Sequence, residues 1–238
     1  MNHKYQKIIE LVKDKMTYAA HDFDHVMRVY HTCLSLAENE TGIDYDILIP
    51  AVLLHDIARS KEDQDPTGQI DHAVLGAEMA EVILKQFGYE PAQIEKIKHC
   101  IKTHRFRSGF LPKTVEAKIL YDADKLDVLG AVGIARSFML AGKHGERLFI
   151  DTDLNEYSAA NIGVNGRVKD VSKHSSNIEF ELKLKKIPEK LYTAKAKEMA
   201  AERLKYMADF FKILKTEIGG PNMKLRKSTD FKQVPIKG

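Results

Sequence analysis

The chain is poor in cysteine: Cys33 and Cys100 are its only two among 238 residues. Neither has a partner at the short spacing of a zinc or redox motif, which argues against thiolate chemistry and makes a reducing cytoplasm the expected home. Long apolar runs are missing as well. The N-terminal MNHKYQKIIELVKDKM interrupts its apolar residues with charge every few positions, unlike a signal peptide, and no later stretch reaches the length of a membrane span. Period-two alternation, the mark of a half-buried strand, is nearly absent. Nor does one sign of charge dominate, since 37 Lys and Arg stand against 34 Asp and Glu. The tail from Pro221 carries Lys224, Arg226, Lys227, Lys232 and Lys237 against Asp230 alone, so the body is close to neutral. It lacks the concentrated basic face of a nucleic-acid-binding module.

What is present is helical periodicity. A hydrophobic content of 44% suffices for one sizeable core. We expect an all-α bundle forming a single domain over 1–220, with a core at about 18–142, a C-terminal helix at about 189–217 and a basic, disordered tail at 221–238. Apolar spacing places the other helices at roughly 3–16, 24–40, 44–59, 71–88, 91–104, 113–129 and 131–142. Asp71 is a candidate N-cap, Pro91 suits a first turn, and Gly42 and Gly88 suit C-caps. The segment 143–180 is rich in Gly, Asn, Ser and charge with weak periodicity, and reads mainly as a long loop or insertion.

Ten histidines are not evidence of a site in themselves; register is what discriminates. His25 shares a helical stripe with Val29, Cys33 and Leu36, and His55 lies four residues after Ala51 and eight after Ile47, so both imidazoles face inward. Asp56 follows His55 in the same apolar setting, where a carboxylate needs a cation or a hydrogen-bond network. His72 begins a stripe continued by Leu75, Gly76, Met79 and Ile83, and His104 shares a face with Ile94, Ile97 and Ile101. His99 falls off that face and is expected to meet solvent. His21-Asp22 has the same letters as His55-Asp56 but no apolar run before it, so Asp22 or Asp24 reads as a helix cap and His21 as peripheral. His3, His31, His144 and His174 read as structural or surface residues.

Three segments, HDFDHVMRV at 21–29, LLHDIAR at 53–59 and YDADKLDVLGAVGIAR at 121–136, together resemble the HD-domain superfamily of metal-dependent phosphohydrolases, in the same order along the chain. The resemblance runs from about 18 to 215 and is greatest to small bacterial HD proteins that include nucleotide pyrophosphohydrolases. It implies a divalent cation held by His25, His55, Asp56 and Asp124. Periodicity alone does not choose between Asp122 and Asp124; the match to the family's Ala-Asp element favours Asp124, with Asp122 as a supporting candidate. Some HD proteins bind a second metal through histidines at the places of His72 and His104, which are therefore either further ligands or substrate contacts.

A mixed imidazole and carboxylate set suits Mn²⁺, Fe²⁺, Co²⁺ or Mg²⁺. Such an ion activates water and polarises a phosphoryl oxygen, so no covalent enzyme intermediate is required. Arg59, read as one helical turn after His55, and Lys125 and Asp127 are candidates for catalysis. Arg28 and Arg105 are candidates for substrate binding, the latter within KTHRFR, where Lys102 and Arg107 add positive charge. The expected partner is a small phosphorylated molecule, foremost a nucleotide cleaved to monophosphate and pyrophosphate; a homodimer is an option, a membrane is not. The alternatives are a phosphomonoesterase or phosphodiesterase on another metabolite, and a non-catalytic helical module that binds metal and nucleotide.

Overall fold

In a computed structural model the described residues are 3–15, 22–105, 109–163 and 166–219. Eleven α-helices are found among them: α1 (His3–Lys15), α2 (Phe23–Ala37), α3 (Tyr45–Leu54), α4 (Arg59–Asp63), α5 (His72–Gln86), α6 (Pro91–Thr103), α7 (Val115–Leu126), α8 (Gly130–His144), α9 (Leu154–Asn161), α10 (Ser176–Leu182) and α11 (Ala194–Gly219). The expected all-α architecture holds, with one isolated bridge, Ile162 with Val168, as the sole strand-like pairing among the described residues. Among the described residues no helix is long and apolar enough to cross a membrane. The tail 221–238, His21 and Arg107 lie outside the described residues.

Two compact units divide the chain: 1–129 with 187–201, and 130–186 with the remainder. The first is organised around α3, in which every residue from Ile47 to Leu54 is buried. A helix apolar on all sides has no solvent face, and α3 packs against α1, α2, α6 and α7 accordingly. The local signals act as expected. Asp22 accepts from the His25 N–H and starts α2, Asp71 accepts from the Ala73 and Val74 N–H groups and starts α5, and Pro91 opens α6. Gly42 and Gly88 adopt φ of 74° and 70°, the left-handed conformation that lets the chain turn after α2 and α5.

One boundary differs from the sequence reading in a way that matters. The helix expected over 44–59 stops at Leu54, turns through 55–58 and resumes as the five-residue α4. The His55 ring bonds the Val52 carbonyl through Nδ1 at 2.7 Å, and the apolar Ile57 and Ala58 stay buried through the turn, so periodicity does not register the break.

The second unit contains α8, α9, α10 and the later part of α11, held by Phe138, Phe180, Phe210 and Phe211, whose ring centroids lie 5.0–6.4 Å apart. The segment 143–180 is mostly irregular, as expected, but includes α9, a 3₁₀ turn at 171–173 and the start of α10. Asp153 caps α9 by accepting from the Asn155 and Glu156 N–H groups. Helices of two turns display too few apolar positions for a period to show.

Candidate metal centre

His25 from α2, the His55-Asp56 turn after α3, His72 at the start of α5, His104 at the end of α6 and Asp124 on α7 converge in the first unit. His25 and His55 are fully buried, and Asp56, His72 and His104 are at most 4% exposed. Every one of the four imidazoles is tied back through Nδ1. His25 bonds the Asp127 carboxylate at 2.8 Å, His55 the Val52 carbonyl at 2.7 Å, His104 the Ile101 carbonyl at 2.6 Å, and His72 the Glu62 carboxylate. Carbonyls and ionised carboxylates only accept, so each Nδ1 carries the hydrogen and each ring turns its Nε2 inward, where an uncharged imidazole offers a lone pair.

The Nε2 atoms then meet in pairs, His25 with His55 at 3.3 Å and His72 with His104 at 3.2 Å. Two lone pairs in such contact repel unless a proton or a cation lies between them. Asp56 serves both pairs with different oxygens. Its Oδ2 is 3.5 Å from His25 Nε2 and 3.8 Å from His55 Nε2, and its Oδ1 is 3.4 Å from Nε2 of both His72 and His104. Asp124 Oδ1 completes the first group, 3.5 Å from His25 and 4.0 Å from His55. Nitrogens bound to one cation at about 2.1 Å stand about 3 Å apart, so the donor set fits a divalent ion at each pair. Among the described residues two triads could hold a metal ion: His25, His55, Asp56 and Asp56, His72, His104.

Electrostatics favour deprotonated ligands. Burial pushes the His55 imidazole from 6.5 down to about 4, with His104 and His25 adding to the effect and Asp56 and Asp124 opposing it. Burial would raise the Asp124 carboxyl, but Lys125 beside it and the imidazoles of His104, His25 and His55 hold it well below the usual carboxylate range.

Asp122 and Asp124 stand in different surroundings. Two residues apart on α7, they point to different sides. Asp122 is fully buried and accepts from the Tyr192 N–H at 2.9 Å, the Thr193 N–H at 2.7 Å and the Thr193 hydroxyl at 2.8 Å, anchoring the approach to α11. It faces Tyr192 and Thr193, not the histidines.

The remaining candidates form the surroundings. Asp127 also receives Arg28, Nε to Oδ1 at 2.8 Å, and Lys125 pairs with Asp124. Arg59 is not one turn after His55 on a continuous helix, because α3 has ended; its Nη1 reaches Glu62 at 2.9 Å and its Nη2 reaches Asp63 at 3.1 Å. Its Nε is buried with no hydrogen-bond partner among the described residues. Arg105 joins Glu62 at 2.7 Å to Asp71 at 2.8 Å. His99 is half-buried instead of solvent-facing, and its Nε2 accepts from the Lys113 N–H at 3.0 Å. Glu62 escaped the sequence reading, since RSKED looks like a solvated charged turn; only the break after Leu54 brings it to His72.

Comparison with known proteins agrees with this centre. The HD domain family model matches residues 22–129, which include all six convergent residues. The chain is 31% identical over 206 residues to YpgQ of Bacillus subtilis (strain 168), covering 85% of this chain and 86% of that protein. The crystal structure of YpgQ in complex with ADP is similar at a TM-score of 0.67 and 27% identity, over 92% of this chain and all of that one. An HD-superfamily hydrolase from Bacillus thuringiensis gives a TM-score of 0.62 at 29% identity, over 90% and 96% of the two chains. With the motif segments, the convergent side chains and these relatives in agreement, the chain belongs to the HD-domain family of metal-dependent phosphohydrolases.

Proposed function

We propose that this chain hydrolyses a nucleoside triphosphate to the monophosphate and pyrophosphate at a two-cation centre in which Asp56 is shared. The observation that carries the reading is the pairing of four Nδ1-anchored imidazoles on opposite oxygens of one carboxylate. His25, His55, Asp56 and Asp124 hold the first ion; Asp56, His72 and His104 hold the second. When bound, such ions lower the pKa of water and neutralise charge on the phosphoryl oxygens, which is the chemistry an in-line displacement at phosphorus requires. The chain's own groups do the positioning. Asp127 orients His25 and is itself braced by Arg28. Lys125 offsets the charge of Asp124, and Arg59 and Arg105 add positive charge near His72, where a polyphosphate needs it. A nucleotide is favoured because the YpgQ relative was crystallised with ADP.

The test is product analysis. Metal-stripped protein reloaded with Mn²⁺ and given ATP is expected to release AMP and pyrophosphate in equal amounts. ADP with orthophosphate would replace this reading with a phosphomonoesterase-like one. Hydrolysis of a phosphodiester alone, or of no phosphate ester at all, would overturn it.

A further inference from the structure

Three of the four convergent histidines are oriented by groups that the fold or a flanking ion pair holds fixed: the Val52 and Ile101 carbonyls for His55 and His104, and Asp127 for His25. His72 differs. Its Nδ1 is held by Glu62, a side chain from the short α4, and that carboxylate is shared with two guanidinium groups. Arg59 Nη1 lies 2.9 Å from Oε2, the oxygen that also meets His72, and Arg105 Nη2 lies 2.7 Å from Oε1. Arg105 then continues to Asp71, the N-cap of α5 and the neighbour of His72. One carboxylate therefore links α4, the start of α5 and the end of α6 beside the second ligand pair. Glu62 is only 12% exposed at its side chain, so these contacts are little screened by water.

We propose that Glu62 is a positioning residue dedicated to the second cation site. It fixes the His72 tautomer with Nε2 towards Asp56 Oδ1, and it holds Arg59 and Arg105 beside that ligand pair. The proposal rests on the two-cation reading above. A carboxylate acceptor behind an imidazole also strengthens that imidazole as a donor to metal, and losing such a partner typically costs about 10–100-fold in metal affinity. The first cation site has its own orienting groups and does not depend on Glu62.

Mn²⁺ titration of metal-stripped protein, followed by the signal of free Mn²⁺, reads this without turnover. Wild type is expected to take up two equivalents. Glu62→Gln, which keeps the shape and removes the charge, is expected to bind the first equivalent as wild type does and the second about 10–100-fold more weakly. Glu62→Asp should recover part of that loss, and His72→Ala should abolish the second equivalent alone. A second equivalent of unchanged affinity in Glu62→Gln, with two in wild type, overturns the role of Glu62 and leaves the two-cation centre standing. Weakening of both equivalents together with a fall in Tm makes Glu62 a brace of the fold, which also overturns the proposal. A single equivalent in wild type overturns the two-cation reading itself, and this inference with it.

Discussion

In the first unit, His25 gives its Nδ1 hydrogen to Asp127 and turns Nε2 to face the Nε2 of His55 at 3.3 Å. In the second unit, His174 is buried too, but Nδ1 meets the Tyr157 hydroxyl at 2.7 Å while Nε2 meets the Glu179 carboxylate at 3.4 Å. Asn161 donates in turn to the Tyr157 oxygen at 3.0 Å. Burial raises the Glu179 carboxyl, yet the hydrogen bond from His174 and the charge of Lys183 outweigh it and bring it down to about 2. Each place holds a buried histidine with a carboxylate on one ring nitrogen. What differs is where the second ring nitrogen goes: to a complementary oxygen around His174, and to another imidazole around His25. Like donors held face to face imply a ligand between them, whereas a donor matched to an acceptor completes a structure.

Replacing the central residue of each region should break the comparison most sharply. Asp56→Asn is expected to lower hydrolysis by on the order of 10²-fold or more and to strip bound cation, as read by turnover and elemental analysis. His174→Phe should leave turnover per folded molecule unchanged and cost about 1–3 kcal/mol of stability by breaking a buried network, for a fall in Tm of about 2–4 °C per kcal/mol in a chain of this size. If His174→Phe also lost cation or activity, the two clusters would not be functionally distinct.

The same contrast recurs within α7. Asp124→Asn should lose cation affinity and activity with little change in Tm. Asp122→Asn should keep its cation and lose about 1–3 kcal/mol, because its oxygens satisfy the Tyr192 and Thr193 donors. Chemical denaturation and metal content measured on both variants check the assignment, and a reversed ranking would move the ligand to Asp122.

A third prediction concerns pH in metal-stripped protein. His55 titrates at about 4 in the fold against 6.5 ordinarily, so between those values the unfolded chain takes up a proton that the fold refuses. This contribution is fully present above pH 6.5, declines as pH falls towards 4 and is then exhausted. Urea denaturation at pH 7.5 and pH 5 should show a smaller pH difference in His55→Gln than in wild type; equal differences would remove His55 as the source. The smallest effect is expected from Arg59→Lys. It keeps the charge but loses the planar fork that reaches Glu62 and Asp63, and should raise KM more than it lowers kcat. Wild-type values of both would place Arg59 away from substrate.

Much of the site was legible because its residues lie on helices or just beyond their ends, where register still shows which side chains face inward. The inward facing of His25, His55, His72 and His104 is recoverable in that way, and Asp124, which the family resemblance favoured where periodicity could not choose, lies beside His25 and His55. The rest was hidden where the helical period fails. The apolar run passes through Leu54 into Ile57 and Ala58 without a mark, so α3 read as continuous, Arg59 was placed on the wrong helix, and Glu62 was not singled out. Asp127 was recognised as a candidate, but its bond to His25 spans 102 positions and no local pattern reports it. Likewise α9, capped by Asp153, and α10 have too few turns to stand out from the surrounding loop.

The central claim is that Asp56 serves two cations and that hydrolysis needs both. It is tested most directly by adding Mn²⁺ stepwise to metal-stripped wild-type protein while binding and ATP turnover are followed together. Two equivalents should bind, with turnover rising chiefly on the second. Full turnover at a single bound equivalent would contradict the account.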